Sequence, residues 1–231
     1  MIKKHAIKLM IFDWDGTLFN SVGQIVDSLL YAAKKYDQPL MAHDAKDVIG
    51  LGLPEVMQRL FPNVPELHDL ILTTYAEHYV EHSLQDQWFD GVAQMLDDLK
   101  NKGILLAVAT GKNRKGLDRV LRKTQSTDIF VVTRAASETA SKPNPKMLQE
   151  ILDVTGISVE HAVMIGDTAY DLDMAQRIGM ASVGVTYGVH SSDILQKYDP
   201  IAIVDTIEQL NHTLNVGLTG APMAGEDIDR L

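Results

Sequence analysis

Six short apolar runs, at residues 7–12, 104–109, 129–132, 162–165, 181–185 and 201–204, each stop abruptly at a polar or glycine-containing turn. Runs of this length bounded by turn residues read as strands buried on both faces. Between most of them lie apolar residues at helical spacing: Val92, Met95, Leu96 and Leu99; Leu117, Val120 and Leu121; Met147, Leu148, Ile151 and Leu152. Continuous apolar strands alternating with helices imply an α/β fold, a doubly wound and mostly parallel sheet covered on both sides. With 231 residues, 45% of them hydrophobic, the chain can bury such a core.

The alternation fails between residues 19 and 88. No strand pattern occurs there, and helical patterns do: Ile25, Leu29, Ala32 and Ala33; Val56 and Leu60; Leu67, Leu70, Ile71, Thr74 and Tyr75. Pro39, Gly50, Gly52, Pro54, Pro62 and Pro65 punctuate the segment into four helices. The expected organisation is a core of residues 1–18 and 89–213, a helical lid at 19–88 inserted after the first strand, and a loosely ordered tail at 214–231.

Composition removes several function classes. Lys and Arg total 21 against 31 Asp and Glu, a formal charge of −10 without a long basic block, so nucleic acid is not an expected partner. The absence of cysteine removes disulfides, a thiolate nucleophile and Cys-ligated metal. The first apolar run is broken by Lys8 and ends in Asp13 and Asp15, which does not fit a signal peptide. No stretch approaches the roughly 18 apolar residues of a membrane span. The expectation is a cytoplasmic enzyme, a monomer or small homo-oligomer, using carboxylates, hydroxyls, amines or imidazoles.

Ligands of open α/β sheets bind beyond the carboxyl ends of the strands. Four signals fall at that edge: Asp13-Trp14-Asp15-Gly16-Thr17 after the first run, Thr110-Gly111 after the second, Gly166-Asp167 with Asp171 after the fourth, and Lys142 in Ser141-Lys142-Pro143-Asn144-Pro145. In this order they resemble the haloacid dehalogenase superfamily of phosphatases, most of all its phosphoglycolate phosphatase-like group, and the helical insert resembles that superfamily's first cap type. The resemblance spans residue 7 to about residue 185. It implies that Asp13 attacks phosphorus and ligates Mg²⁺; that Asp15 gives its backbone carbonyl to the metal and its carboxyl to proton transfer; that Thr110, Gly111 and Lys142 hold the phosphoryl group; and that Asp167 ligates the metal. Asp171 then braces a metal-bound water or Lys142, although a capping or solvated role is equally open. The implied substrate is a small phosphorylated metabolite, with phosphoglycolate first.

Elementary electrostatics points the same way. Asp13, Asp15, Asp167 and Asp171 repel a phosphate dianion and only Lys142 opposes them, so a divalent cation is required. An oxygen donor set without Cys or clustered His suits Mg²⁺. Gly16 permits the sharp turn after the first strand, and Asn144-Pro145 reads as an N-cap followed by proline at the first helical position.

Other features are given ordinary readings. Gly50-Leu51-Gly52-Leu53 lacks the third glycine of a nucleotide loop and reads as a connecting turn that can meet substrate. The basic stretch from Lys112 to Lys123 reads as a solvated helix face, with Lys112 and Arg114 near enough to Thr110 to aid an anionic substrate. His78 and His82 read as a surface pair. The lid holds 4 Lys and Arg against 11 Asp and Glu over residues 19–90, with Arg59 its one candidate anion contact. The alternatives are a phosphomutase of the same superfamily and a non-catalytic phosphometabolite-binding or receiver-like module. Dehalogenase chemistry fits poorly, because it does not need the second acid, Asp15.

Overall fold

The computed structural model describes residues 6–83 and 87–218. Its core is a six-stranded parallel sheet: β1 (Leu9–Phe12), β2 (Leu105–Thr110), β3 (Val132–Ala135), β4 (Ala162–Gly166), β5 (Ala181–Val185) and β6 (Ala202–Val204), in the order β3-β2-β1-β4-β5-β6. Successive strand residues face opposite sides, and both sides are covered. Met10 and Phe12 join Val108, Val163 and Ile165 beneath α5 (Val92–Asn101), α6 (Arg114–Lys123) and α10 (Ile207–His212). Leu9 and Ile11 join Ala107 and Met164 beneath α7 (Lys146–Thr155) and α8 (Ala169–Gln176). Short α9 (Ser192–Leu195) precedes β6. Among the described residues, no helix is long and apolar enough to cross a membrane.

Four helices, α1 (Val22–Lys35), α2 (Ala42–Asp47), α3 (Leu53–Leu60) and α4 (His68–His82), lie between β1 and α5. They bury their own apolar cluster, including Leu29, Ala32, Val56, Met57 and Ile71. Chain entry and exit are tied together: Asn20 N–H donates to Gln87 O at 2.9 Å, Phe89 N–H donates to Leu18 O at 3.1 Å, and Phe19 forms an antiparallel bridge with Trp88.

Three expectations shift. The third strand occupies Val132–Ala135 rather than 129–132. It lies at the sheet edge, where Thr133 and Arg134 are tolerated, while Phe130 packs into the core from the preceding turn. Helix α7 starts at Lys146 with Pro145 in the cap position, one residue later than expected, although the Asn144 side chain still accepts the Lys146 N–H at 3.0 Å. The expected tail from Leu214 instead begins with a helical turn, Thr213–Leu218, and Leu214 is fully buried. Residues 219–231 of that tail lie outside the described residues.

Candidate active site

The strand order reverses between β1 and β4, which is where ligands of doubly wound sheets bind. Phe12 stands in register with both Val108 and Ile165. Asp13, Thr110 and Asp167 therefore leave neighbouring strand ends together. Lys142, from the loop after β3, reaches them from the side: its Nζ lies 2.8 Å from Asp13 Oδ1 and 2.6 Å from Asp171 Oδ1. The Lys142–Pro143 peptide is cis. Asp13, Asp167 and Asp171 each place a carboxylate oxygen within 4.8 Å of the others, and all three are buried.

Each carboxylate is satisfied differently. Asp171 is saturated, with Lys142 on Oδ1 and the Thr168 hydroxyl, at 2.6 Å, on Oδ2. Together with the reciprocal bond to Thr168 this makes a capping box that starts α8. Asp171 thus braces Lys142 and caps a helix at once. Asp167 accepts from the Thr17 hydroxyl at 2.7 Å and from Val189 N–H at 2.9 Å. Asp13 is the exception: it is 1% exposed, yet neither oxygen accepts a well-aligned hydrogen bond from a described residue, despite the close ammonium of Lys142.

Burial and like charge act on this group together. Burial is the main cause that raises Asp13 well above the ordinary carboxylate range, with Lys142 opposing and Asp171 and Asp167 adding. Burial and then Asp171 push Asp167 up to about 7. Lys142 stays charged, because Asp13 and Asp171 outweigh its desolvation and raise it. Three buried carboxylates facing one ammonium are short of positive charge. The orphaned oxygens of Asp13, beside Asp167, form an all-oxygen donor set that fits a hard divalent cation.

Asp15 turns away from this cluster. Its Oδ1 takes the Ser21 hydroxyl at 2.5 Å and Lys112 Nζ at 2.8 Å, which leaves Oδ2 without a described partner. Thr110 is fully buried, and its hydroxyl accepts the Lys112 N–H at 3.2 Å. Asp13, Asp15, Gly111 and Lys112 form the floor of a cavity of about 310 Å³ between core and insert. Ile25 and Leu29 of α1, Val56 of α3, and Tyr75 and Tyr79 of α4 wall it, and Gly50 and Leu51 close over the floor. That closure needs glycine at 111, since a Cβ there would sit 2.5 Å from Gly50 O and 2.6 Å from Leu51 O.

Several sequence candidates lie elsewhere. Arg114 is held by Glu138 at 2.6 Å and Asp118 at 3.1 Å. Arg59 is held by Tyr170 at 2.6 Å and Asp47 at 3.2 Å. Neither lines the cavity. His78 and His82 stack at 4.1 Å, and His82 Nδ1 lies 2.8 Å from His78 O. Conversely, sequence reasoning named Thr17 in the first motif without giving it a role, and missed Ser21 and the Tyr187–Val189 turn. Tyr187 donates its hydroxyl to Thr17 O at 2.9 Å, and a Cβ at Gly188 would collide with Asp167 Oδ2. That turn follows β5 at the same sheet edge as the four recognised signals, and this position was the available clue.

The model of the haloacid dehalogenase-like hydrolase family matches residues 10–185. Probable phosphatase IndB of Dickeya dadantii (strain 3937) is 32% identical over 209 residues, covering 87% of this chain and 91% of that protein. The phosphoglycolate phosphatase of Vibrio vulnificus (strain CMCP6) is 28% identical over 218 residues, covering 90% and 96%. A crystal structure of a hydrolase from Pseudomonas syringae shares the fold with a TM-score of 0.83 at 21% identity, covering 92% of this chain and 99% of that one. The chain belongs to the haloacid dehalogenase-like hydrolases, as a phosphatase-like member of that family.

Proposed function

We propose that this hydrolase is a Mg²⁺-dependent phosphatase that cleaves a small phosphate monoester through a phosphoaspartate at Asp13. The observation that carries the reading is Asp13 itself. It is a buried carboxylate with free lone pairs at a cavity floor, and the Lys142 ammonium beside it can neutralise the phosphoryl group. An Asp13 oxygen attacks phosphorus, and the ester P–O bond breaks. The carboxyl of Asp15 gives its proton to the departing oxygen, then takes one from the water that attacks the phosphoaspartate and releases phosphate. Lys142, the Thr110 hydroxyl and the Gly111 amide hold the phosphoryl oxygens as charge moves onto them. Asp13, Asp167 and the backbone carbonyl of Asp15 would hold Mg²⁺, whose contribution is positive charge offsetting that of the carboxylates and phosphate. The closed insert keeps bulk water and large substrates away from the reacting atoms.

The reading is tested by measuring phosphate release from a panel of small phosphate monoesters, with and without Mg²⁺, for wild type and Asp13→Asn. Release that requires Mg²⁺ and vanishes in the variant supports it. Release that survives Asp13→Asn, or no release from any ester, contradicts it.

A further inference from the structure

The cavity beyond the reacting atoms has a polarity pattern of its own. Past Asp13 and Asp15 its walls are aliphatic and aromatic, and at the α6 side it meets Lys115, Arg119 and Arg122. Lys112 is neutralised by Asp15, and Lys142 is engaged with Asp13 and Asp171. Arg119 differs. Its guanidinium stands 5.3 Å from the centre of the Tyr79 ring, and no carboxylate among the described residues pairs with it. The Tyr79 face therefore orients a half-buried cation at the cavity wall, with its donors left for a ligand.

Resting on the phosphatase reading above, we infer that the substrate is a phosphate monoester whose leaving group has an aryl or similarly apolar body and an anionic group at its far end, received by Arg119. An apolar wall gives little to a polyol, whose hydroxyls would lose water without gaining partners. A two-carbon leaving group would touch too little of the wall to use it. A flat apolar body fits between the aliphatic residues of α1 and α3 and the tyrosines of α4, and its distal anion meets the planar guanidinium in a charge-assisted contact.

The test compares kcat/KM, with Mg²⁺, for 4-carboxyphenyl phosphate, 4-carbamoylphenyl phosphate, phosphoglycolate and glycerol 1-phosphate. The carboxyl and carbamoyl esters share a ring and differ in distal charge. Wild type should favour the carboxylated ester over the carbamoyl one by roughly tenfold, chiefly in KM, the worth of one charge-assisted hydrogen bond. Both should exceed the two aliphatic esters. Arg119→Gln should remove the preference for the carboxylate, and Arg119→Lys should restore part of it; the carbamoyl ester reports on folding and chemistry in every variant. Aliphatic esters that match or exceed the aryl ones, or an Arg119→Gln variant that keeps the carboxylate preference, would overturn the inference while leaving the phosphatase intact. Failure of the phosphatase reading itself would show differently, as release that ignores Asp13→Asn or is absent for all four esters.

Discussion

The proposed proton transfer by Asp15 rests on one oxygen of its carboxyl having no described partner. Ser21 and Lys112 both hold Oδ1, which fixes the carboxyl at the cavity floor with Oδ2 uncommitted. Asp15→Asn is expected to slow turnover by roughly 10²–10⁴-fold, the usual range for a lost general acid–base. The loss in kcat/KM, which reports on formation of the phosphoaspartate, should be smaller for a nitrophenyl ester, which departs without a proton, than for an alkyl ester; equal losses in kcat/KM would contradict the assignment. Glycine at 188 is equally specific, since any Cβ there collides with Asp167 Oδ2 and approaches Gly16 O at 2.5 Å. Gly188→Ala should cost on the order of 1–3 kcal/mol in denaturant unfolding, as overpacking does, and should weaken Mg²⁺ binding by displacing Asp167. A wild-type midpoint and Mg²⁺ affinity in that variant would show that the turn can yield. That Asp13, Lys142, Asp167 and Asp171 would gather at one sheet edge was legible because charge at a strand end has few structural uses. Ser21 and Gly188 were not, because a lone serine or glycine is ordinary loop chemistry until its partner is known.

At the scale of elements, the site depends on β1 and β4 running in register and on the insert being held down over their ends. A clasp between insert and core contributes to the second. The Tyr170 hydroxyl at the start of α8 donates to Asp47 O at 2.8 Å and accepts from Arg59 at 2.6 Å, while His190 Nε2 lies 3.2 Å from Asp47 Oδ1. Tyr170→Phe removes two of these contacts, worth roughly 1 kcal/mol each, less where water competes. Hydrogen exchange in α2 should then quicken and KM should rise several-fold with little change in thermal midpoint; unchanged exchange in α2 would mean that the clasp does not restrain the insert. Strand and helix alternation was legible because buried parallel strands are apolar throughout. Edge strand β3 was misplaced because Thr133 and Arg134 break its apolar run, whereas the equally apolar residues just before it include Phe130, which packs into the core from the preceding turn.

Over the whole molecule, burying three carboxylates beside one ammonium makes the metal-free fold sensitive to pH. Asp167 holds its proton up to about 7 in the fold, whereas an unfolded Asp releases it near pH 4. The fold thus binds the extra proton between these values. The stability tied to it is complete below the unfolded pKa and is lost as pH rises through the folded one. In chelator the thermal midpoint should fall from pH 5 to pH 8. Mg²⁺ at about one hundred times its dissociation constant should raise the midpoint at pH 8 by roughly 5–10 °C, from about 2.7 kcal/mol of linkage, and by less at pH 5. A Mg²⁺ shift that is the same at both values would contradict proton-coupled binding. The excess of carboxylate over ammonium was legible from charge counting, and the contact of Asp171 with Lys142 from the resemblance, but the pairing of Asp15 with Lys112 was not, because sequence order does not show which carboxylate each lysine meets.

The most direct test of the central claim is to trap the covalent intermediate. Wild type and Asp15→Asn would be quenched in acid during turnover of a nitrophenyl ester and digested, and the peptide containing Asp13 weighed before and after hydroxylamine. The account predicts one phosphoryl group on that peptide, labile to hydroxylamine and more abundant in Asp15→Asn, where hydrolysis of the phosphoaspartate lacks its base. Steady turnover with no phosphoryl group on Asp13 in either protein, or with the group on another residue, would contradict it.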